Sequence, residues 1–184
     1  MIGVVLAGGQ SRRMGSDKAL VEIAGSPMIE WVSSALGEVS DRVVVAGRPE
    51  GWAANEGLVD PPGLGGPLAG LVAAVQLGSD LLVVAVDQPW VRVETLRALA
   101  GMEGTVVPID GGVRQVTCAR YSVDMTVVAK SLQGLFDQIT YRSVEDQEWR
   151  SWGEDGRSWF SADDETALAE GLSRFGPPGR ELET

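Results

Sequence analysis

A glycine-rich loop near the start of the chain carries an unusual amount of charge. It reads LAGGQSRRMGSDKA, covers residues 6 to 19 and follows a short apolar run. Gly8 and Gly9 lack a Cβ atom, so their backbone N–H groups can approach a phosphate closely, and Arg13 and Lys18 supply positive charge. The loop matches neither the dinucleotide-binding fingerprint nor the P-loop. Its charge density favours a different kind of phosphate-binding loop over the alternative, a basic surface loop whose glycines only turn the chain.

Two carboxylates further along the chain could serve the same ligand. Asp87 ends the strongly apolar segment 80–87, where a carboxylate is costly unless it faces a cation or hydrogen-bond donors. Mg²⁺ is a suitable cation, because one or two carboxylates hold it together with substrate phosphates and water. Capping of the following turn is the alternative for Asp87. A turn role before Pro61 and Pro62 is the alternative for Asp60.

The composition excludes several kinds of chemistry. The chain contains no histidine, which rules out an imidazole base, a Ser-His-Asp triad and a histidine-ligated zinc. Cys118 is the single cysteine, so we predict a small packing residue there and no intrachain disulfide. The formal net charge of −11 argues against a nucleic-acid or anionic-membrane partner. Of the 15 basic residues only Lys18 and Lys130 are lysines, and Lys18 lies in the charged loop.

Short β-branched runs alternate with helix-like segments, which predicts an α/β domain with a mostly parallel sheet. Ligands bind such sheets beyond the carboxyl ends of the strands, where the charged loop, the 60–70 loop and Asp87 would all emerge. Glycines 111 and 112 predict a hairpin that leads into an antiparallel strand. The expected strands are 2–6, 42–46, 80–87, 104–109 and 113–121, and the expected helices are 27–36, one from 67, 93–100, 124–135 and 164–174.

The remaining features concern the extent of the domain, the acidic segment near its end and the location of the protein. We expect one domain over 1–174 and a disordered tail over 175–184. The acidic segment 145–157 is predicted to be a surface excursion, although tryptophans 149, 152 and 159 favour core or oligomer contacts over base stacking. The longest aliphatic stretch, 81–86, is far too short to span a bilayer, and no secretory signal is evident. A cytoplasmic location is therefore expected.

Three segments together resemble the molybdenum cofactor guanylyltransferases, which attach GMP to molybdopterin. The order and spacing of these segments match that family over most of the first hundred residues, and the later part of the chain resembles it only loosely. Related nucleotidyltransferases usually have a second alanine in place of Gly8, so Gly8 favours the guanylyl branch. The segments are LAGGQSRRMGSDKALVEIAGSPMIEWV, DPPGLGGPLAGLVAA and VVAVDQPWV.

The resemblance implies a single Rossmann-like nucleotidyltransferase domain with three α/β/α layers and a mostly parallel mixed sheet. It also implies that the terminal phosphate of molybdopterin attacks the α-phosphorus of GTP and releases pyrophosphate. Mg²⁺ bound to Asp87 is the implied cofactor, and proteins of molybdoenzyme maturation are further possible partners. The implied catalytic residues are Arg13, Lys18 and Asp87, and the nucleotide-binding residues are Leu6, Ala7, Gly8, Gly9, Lys18, Asp60 and Asp87.

The chain departs from the family pattern at several positions. Ala46 stands where the family often has an asparagine that contacts the nucleotide. The strand end reads VDQP instead of the more usual CDTP, and SADDETALAEG replaces an Asn/Asp-Thr-Pro-Glu segment, with Asp163 as its candidate. Arg114 and Gln115 are weak candidates for contacting the pterin. Two alternatives stay open: a related enzyme that uses CTP or another small phosphate acceptor, and an inactive nucleotide-binding homologue.

Overall fold

A mixed β-sheet forms the centre of the fold in a computed structural model that describes residues 1–8, 17–126 and 129–179. The strands are β1 (Ile2–Leu6), β2 (Glu22–Ile23), β3 (Ser26–Pro27), β4 (Arg42–Ala46), β5 (Glu56–Leu58), β6 (Leu81–Ala85), β7 (Val106–Asp110), β8 (Val113–Arg114), β9 (Cys118–Tyr121) and β10 (Arg142–Val144). The strand order of the central sheet is β10-β7-β9-β6-β1-β4-β5, with β8 paired to β7, and β2 and β3 form a separate two-stranded ladder.

Strand β1 lies between two parallel neighbours. Leu6 pairs in register with Ala46 of β4 and with Ala85 of β6. Strand β9 runs antiparallel to both β6 and β7. The predicted mostly parallel sheet with an antiparallel addition is therefore confirmed, and the carboxyl ends of β1, β4 and β6 meet at one edge.

Helices cover both faces of this sheet, which confirms the predicted three layers. Val5 and Val84 pack with α1 (Met28–Gly37) and α3 (Val93–Ala100) on one face. Val4 and Val83 pack with α2 (Gly66–Val75) on the other face. Full burial of such a side chain contributes roughly 1.5–3 kcal/mol. The helices are α1 (Met28–Gly37), α2 (Gly66–Val75), α3 (Val93–Ala100), α4 (Leu132–Leu135), α5 (Asp146–Arg150) and α6 (Glu165–Phe175), and 3₁₀ turns cover Lys18–Leu20 and Arg157–Trp159.

Two predicted helix boundaries differ from the structure. Helix α1 begins at Met28 because Ser26 and Pro27 pair with β2, so Pro27 is the N-cap and not the first helical residue. The helix expected over 124–135 is wrong for most of its length. Among the described residues of this segment only Leu132–Leu135 is helical, since the Ser131 hydroxyl accepts a hydrogen bond from the Gly134 N–H and starts the helix there.

The predicted hairpin is confirmed, and its turn explains the paired glycines. Ile109 of β7 pairs with Arg114 of β8, and Gly111 and Gly112 connect the two strands. Their φ angles are 56° and 81°, in the left-handed region that two-residue hairpin turns require. The strand expected over 113–121 is interrupted between Arg114 and Cys118.

The segment 145–157 lies largely at the surface as predicted, but it is anchored in the core at positions that its acidic composition did not indicate. Trp149 is 1% exposed, and its indole N–H donates to the Ile109 carbonyl. Trp149 and Trp159 meet edge to face with their ring centroids 5.1 Å apart. The buried Glu154 accepts hydrogen bonds from the hydroxyls of Thr95 and Ser158. Trp149 and Glu154 therefore anchor the segment in the core, while residues 145, 147, 150, 151, 153 and 155 stay exposed.

The final described residues also pack on the domain. Phe175 is buried, and the Trp90 indole donates a 2.8 Å hydrogen bond to the Gly176 carbonyl. Residues 175–179 thus differ from the expected disordered tail, and residues 180–184 lie outside the described residues. None of the helices in the described part of the chain has the length and apolar character needed to cross a membrane.

The contact between α6 and Trp90 leads to a stability prediction. A Cβ on Gly171 would lie 2.2 Å from the Trp90 ring, so the change Gly171→Ala forces the helix or the ring to move. We expect a loss of about 1–3 kcal/mol in the free energy of unfolding, measured by urea titration. Gly37→Ala is the control, because nothing lies within 4 Å of a Cβ at that helical position. Equal unfolding midpoints for the two variants would contradict the packing described.

Candidate functional site

The candidate site lies at the carboxyl ends of β1, β4 and β6. The N–H groups of Ala7 and Gly8 both donate to the Ala46 carbonyl, at 2.8 and 3.1 Å. On the other side, the Val86 N–H donates to the Leu6 carbonyl at 3.0 Å. These bonds hold the start of the charged loop between its two parallel neighbours, as the sequence predicted.

Gly47 lies too close to Gly8 to be replaced by any other residue type. A Cβ on Gly47 would lie 2.2 Å from the Gly8 Cα, and the φ angle of Gly47 is +70°. A Cβ on Gly8 would lie 3.3 Å from the Gly47 Cα and 3.6 Å from Asp60 Oδ2. Gly8 was predicted for its approach to a ligand, and the structure adds the approach to Gly47, which the sequence analysis missed.

Asp60 faces a small cleft with one oxygen unpaired. Its Oδ1 atom is buried and has no hydrogen-bond partner among the described residues. A buried acceptor left unpaired costs about 1–3 kcal/mol, so this oxygen is suited to receive a donor from a ligand. The cleft also lies at the N-terminal end of α2, whose partial positive charge favours an anion. Its lining residues are Leu6, Gly8, Ala46, Asp60, Gly66, Pro67 and Gly70.

Lys18 is the charged centre of the site. Its Nζ atom donates to Asp87 Oδ2 at 3.0 Å and to Asp163 Oδ1 at 2.9 Å, and its side chain is only 5% exposed. The 3₁₀ turn that carries Lys18 begins at Asp17, whose carboxylate accepts from the Ala19 N–H. With one ammonium between two carboxylates, the group has a surplus of negative charge that favours a further cation.

Asp163 is the residue of this group that the sequence analysis named only as a candidate from the family pattern. Its segment is fixed next to Asp87, because the Ala162 N–H donates to the Asp87 carbonyl at 2.8 Å. The following Asp164 caps α6 by accepting from the Ala167 N–H. The hydrogen bond from Lys18, reinforced by the charge of the ammonium, lowers the pKa of the Asp163 carboxyl from its ordinary value of 3.8.

The other predicted residues have separate surroundings. Arg114 pairs with Asp137 at 2.9 Å, and the Gln115 side chain donates to the Val113 carbonyl, so neither has a described contact with Lys18. Their role toward the pterin stays a prediction. Burial raises the pKa of the Cys118 thiol well above its ordinary value, which fits the predicted packing role. Gly9 and Arg13 lie outside the described residues.

Comparisons with known proteins find similar domains. The model of the MobA-like NTP transferase domain matches residues 3–148. A probable molybdenum cofactor guanylyltransferase of Pelotomaculum thermopropionicum is 43% identical over 100 residues, which are 52% of this chain and 49% of that protein. A molybdenum cofactor guanylyltransferase of Cereibacter sphaeroides is 37% identical over 134 residues, 67% of this chain and 69% of that protein. The match thus spans about half of the first relative's length.

One solved structure shows the same fold across nearly the whole chain. It is the crystal structure of molybdopterin-guanine dinucleotide biosynthesis protein A from Archaeoglobus fulgidus. The TM-score is 0.78 at 21% identity, and the alignment covers 94% of this chain and 97% of that chain. The likeness confirms the predicted α/β nucleotidyltransferase-like fold.

The ion pair between Lys18 and Asp163 can be tested by the titration of the Asp163 carboxyl. We expect Lys18→Met to raise the pKa of the Asp163 carboxyl, because the ammonium is lost while the Asp87 carboxylate remains. A carboxyl pKa lowered by folding stabilises the protein above the unfolded value of about 3.9, and this stability is lost as pH falls through the folded pKa. The variant should lack this contribution.

Carboxyl ¹³C chemical shifts followed through acidic pH measure this change directly. Lys130→Met is the matched control, since Lys130 is exposed and is the other lysine of the chain. An unchanged Asp163 titration in Lys18→Met would show that the ammonium does not bind this carboxylate.

Proposed function

The chain belongs to the MobA-like NTP transferase domain family, and we propose that it transfers GMP from GTP to molybdopterin. The products would be molybdopterin guanine dinucleotide and pyrophosphate. The single observation that carries the proposal is the buried Lys18 ammonium between Asp87 and Asp163. The cleft of Gly8 and Asp60 lies at the same carboxyl edge of the sheet. The names of the Pelotomaculum and Cereibacter relatives support the choice of substrates.

The carboxylates around Lys18 fit a divalent cation of the hard type. Asp87 and Asp163 offer only oxygen donors, which suit Mg²⁺. Among the described residues no group of three or more acidic or cysteine ligands forms, so substrate oxygens and water would complete the coordination. When bound there, Mg²⁺ would neutralise charge on the phosphates and on the departing pyrophosphate.

Lys18 would bind the phosphates directly. Asp163 is its more exposed partner, with 73% of the side chain accessible against 23% for Asp87. A phosphate oxygen can therefore replace Asp163 as an acceptor while Asp87 continues to orient the ammonium. An ammonium is a point charge with three donors, so it can follow charge from the α-phosphate to the leaving group. Arg13 would add charge from the same loop.

Asp60 would select the base. Its unpaired oxygen and its second carboxylate oxygen can accept from two adjacent N–H donors, which the guanine edge provides. Cytosine and adenine offer an exocyclic amino group beside a ring acceptor, and that acceptor would repel the carboxylate. The N–H groups of Ala7 and Gly8 already bond the Ala46 carbonyl, so Leu6, Ala7 and Gly8 would contact the nucleotide mainly by close approach.

The reaction needs no histidine. A phosphate oxygen of molybdopterin forms the new bond to the α-phosphorus, and the bond from that phosphorus to the β-phosphate oxygen breaks, leaving its electron pair on pyrophosphate. Because an ionised phosphate is already a nucleophile, catalysis reduces to alignment and charge neutralisation. This chemistry would take place in the cytoplasm, with proteins of molybdoenzyme maturation receiving the product.

A second candidate function uses the same residues with another nucleotide. Ala46 supplies no side-chain amide where the resembling family often has asparagine, so one contact to the base or ribose is missing. CTP would then be the natural nucleotide donor. The nucleotide preference separates the two candidates.

Thermal unfolding with nucleotides tests the binding part of the proposal. We expect GTP with Mg²⁺ to raise the melting temperature more than CTP or ATP does, since a ligand at 100 times its Kd stabilises by about 2.7 kcal/mol. Asp60→Asn should reduce the preference for GTP, because an amide nitrogen replaces one acceptor. Lys130→Gln is the control and should behave as the wild type. Equal shifts with the three nucleotides would remove the case for guanine selection.

Turnover tests the chemical part. The purified protein is incubated with molybdopterin, Mg²⁺ and each nucleotide, and the dinucleotide product is measured. We expect product with GTP, and a loss of roughly 10²–10³ in kcat for Asp87→Asn and for Lys18→Met, because each removes charge stabilisation from the transition state. Product from CTP alone would establish the second candidate. Tight GTP binding without product would indicate an inactive homologue.

A further inference from the structure

Gln88 is a buried polar side chain directly after Asp87. It is 2% exposed, and its Oε1 atom accepts a 3.2 Å hydrogen bond from the Ala85 N–H. Its Nε2 atom donates to the Thr117 hydroxyl at 3.1 Å and lies 3.5 Å from the Trp159 carbonyl. A buried amide costs free energy unless its donors and acceptor are paired, and here each side of the amide has a partner.

These partners belong to three different segments. Ala85 ends β6, and its N–H also donates to the Thr117 carbonyl at 2.8 Å, just before β9. Trp159 ends the 3₁₀ turn that precedes Ala162 and Asp163. One side chain therefore joins the end of β6, the segment before β9 and the C-terminal segment.

The carboxylates of the site depend on that junction. Asp87 lies in the turn between Ala85 and Gln88, which the Gln88 N–H closes by donating to the Ala85 carbonyl at 3.1 Å. Asp163 follows Trp159 by four residues, and the Ala162 N–H bonds the Asp87 carbonyl. If Gln88 no longer bonds Thr117 and Trp159, the turn that carries Asp87 and the segment that carries Asp163 are no longer held together through this side chain.

We propose that Gln88 is a positioning residue that sets Asp87 and Asp163 at the separation needed to hold a divalent cation together. It touches neither the substrates nor the cation and acts through the turn and the C-terminal segment. The inference rests on the proposed function, since it assumes that the two carboxylates bind that cation. Gln88 is also one of the positions at which the chain departs from the family pattern, because the strand end reads VDQP instead of CDTP.

The change Gln88→Met tests the role, because methionine has a similar length without an amide. We expect the affinity for Mn²⁺, used in place of Mg²⁺ and measured with GTP bound, to fall about 10- to 100-fold, as for other residues that orient metal ligands. The affinity for GTP without metal should stay unchanged.

Two further variants separate positioning from loss of stability. Thr95→Val removes a buried hydroxyl that bonds Glu154 and not the Asp87 turn, so it should lower the melting temperature without changing Mn²⁺ affinity. Thr117→Val removes one partner of the Gln88 amide and should weaken Mn²⁺ binding less than Gln88→Met does. It also provides a milder variant in case Gln88→Met does not fold.

The outcomes distinguish the two proposals. Wild-type Mn²⁺ affinity in Gln88→Met and Thr117→Val, or an equal loss in Thr95→Val, would overturn the role of Gln88. Absence of Mn²⁺ binding in the wild type with GTP would contradict the proposed function. It would also overturn the role of Gln88 toward the cation, whereas normal wild-type binding with no loss in Gln88→Met would overturn that role alone.

Discussion

Lys18 is a buried cation held by two carboxylates, and the arrangement of the site depends on this pairing. Removing an ammonium from water is costly, and hydrogen bonds to Asp87 and Asp163 offset that cost. Because the three residues come from three distant parts of the chain, the pairing also fixes those parts relative to one another. The group keeps a surplus of negative charge, which supports the proposal that it binds a further cation.

The sheet makes this pairing possible by ending several strands at one edge. Strands β1 and β6 are fully buried, so their backbone positions are fixed by packing on both faces. Asp87 lies two residues after the end of β6 at Ala85, which limits how far its carboxylate can move. The tryptophans of the later part of the chain, Trp149 and Trp159, support the same frame from the side of β7.

The fold was predictable wherever local pattern and burial agree. Apolar β-branched runs predicted the central strands, and paired glycines predicted the hairpin. The anchoring of the segment 145–157 in the core was missed because acidic composition indicates exposure only when the charges face water, whereas Glu154 is enclosed by donors. The helix expected over 124–135 failed since a capping serine inside the pattern set a later start.

A residue of the candidate site was predictable only where its immediate neighbours in the sequence indicate its role. A carboxylate at the end of an apolar strand identified Asp87, and charge among glycines identified Lys18. Asp163 gives no such sign, because its neighbourhood has the pattern of a helix cap and its partner lies 145 residues away in sequence. Gly47 was missed for a related reason: its small size matters only against the backbone of Gly8.

The position of Asp163 late in the chain has a consequence for biosynthesis. The strands, Lys18 and Asp87 all precede Asp163 in the sequence, so they emerge from the ribosome before it does. N-terminal parts of a protein generally fold first during synthesis. A nascent chain would thus hold Lys18 against Asp87 alone, and the second carboxylate would arrive only with the docking of the last segment. The pair of carboxylates is therefore complete only after residue 163 has left the ribosome.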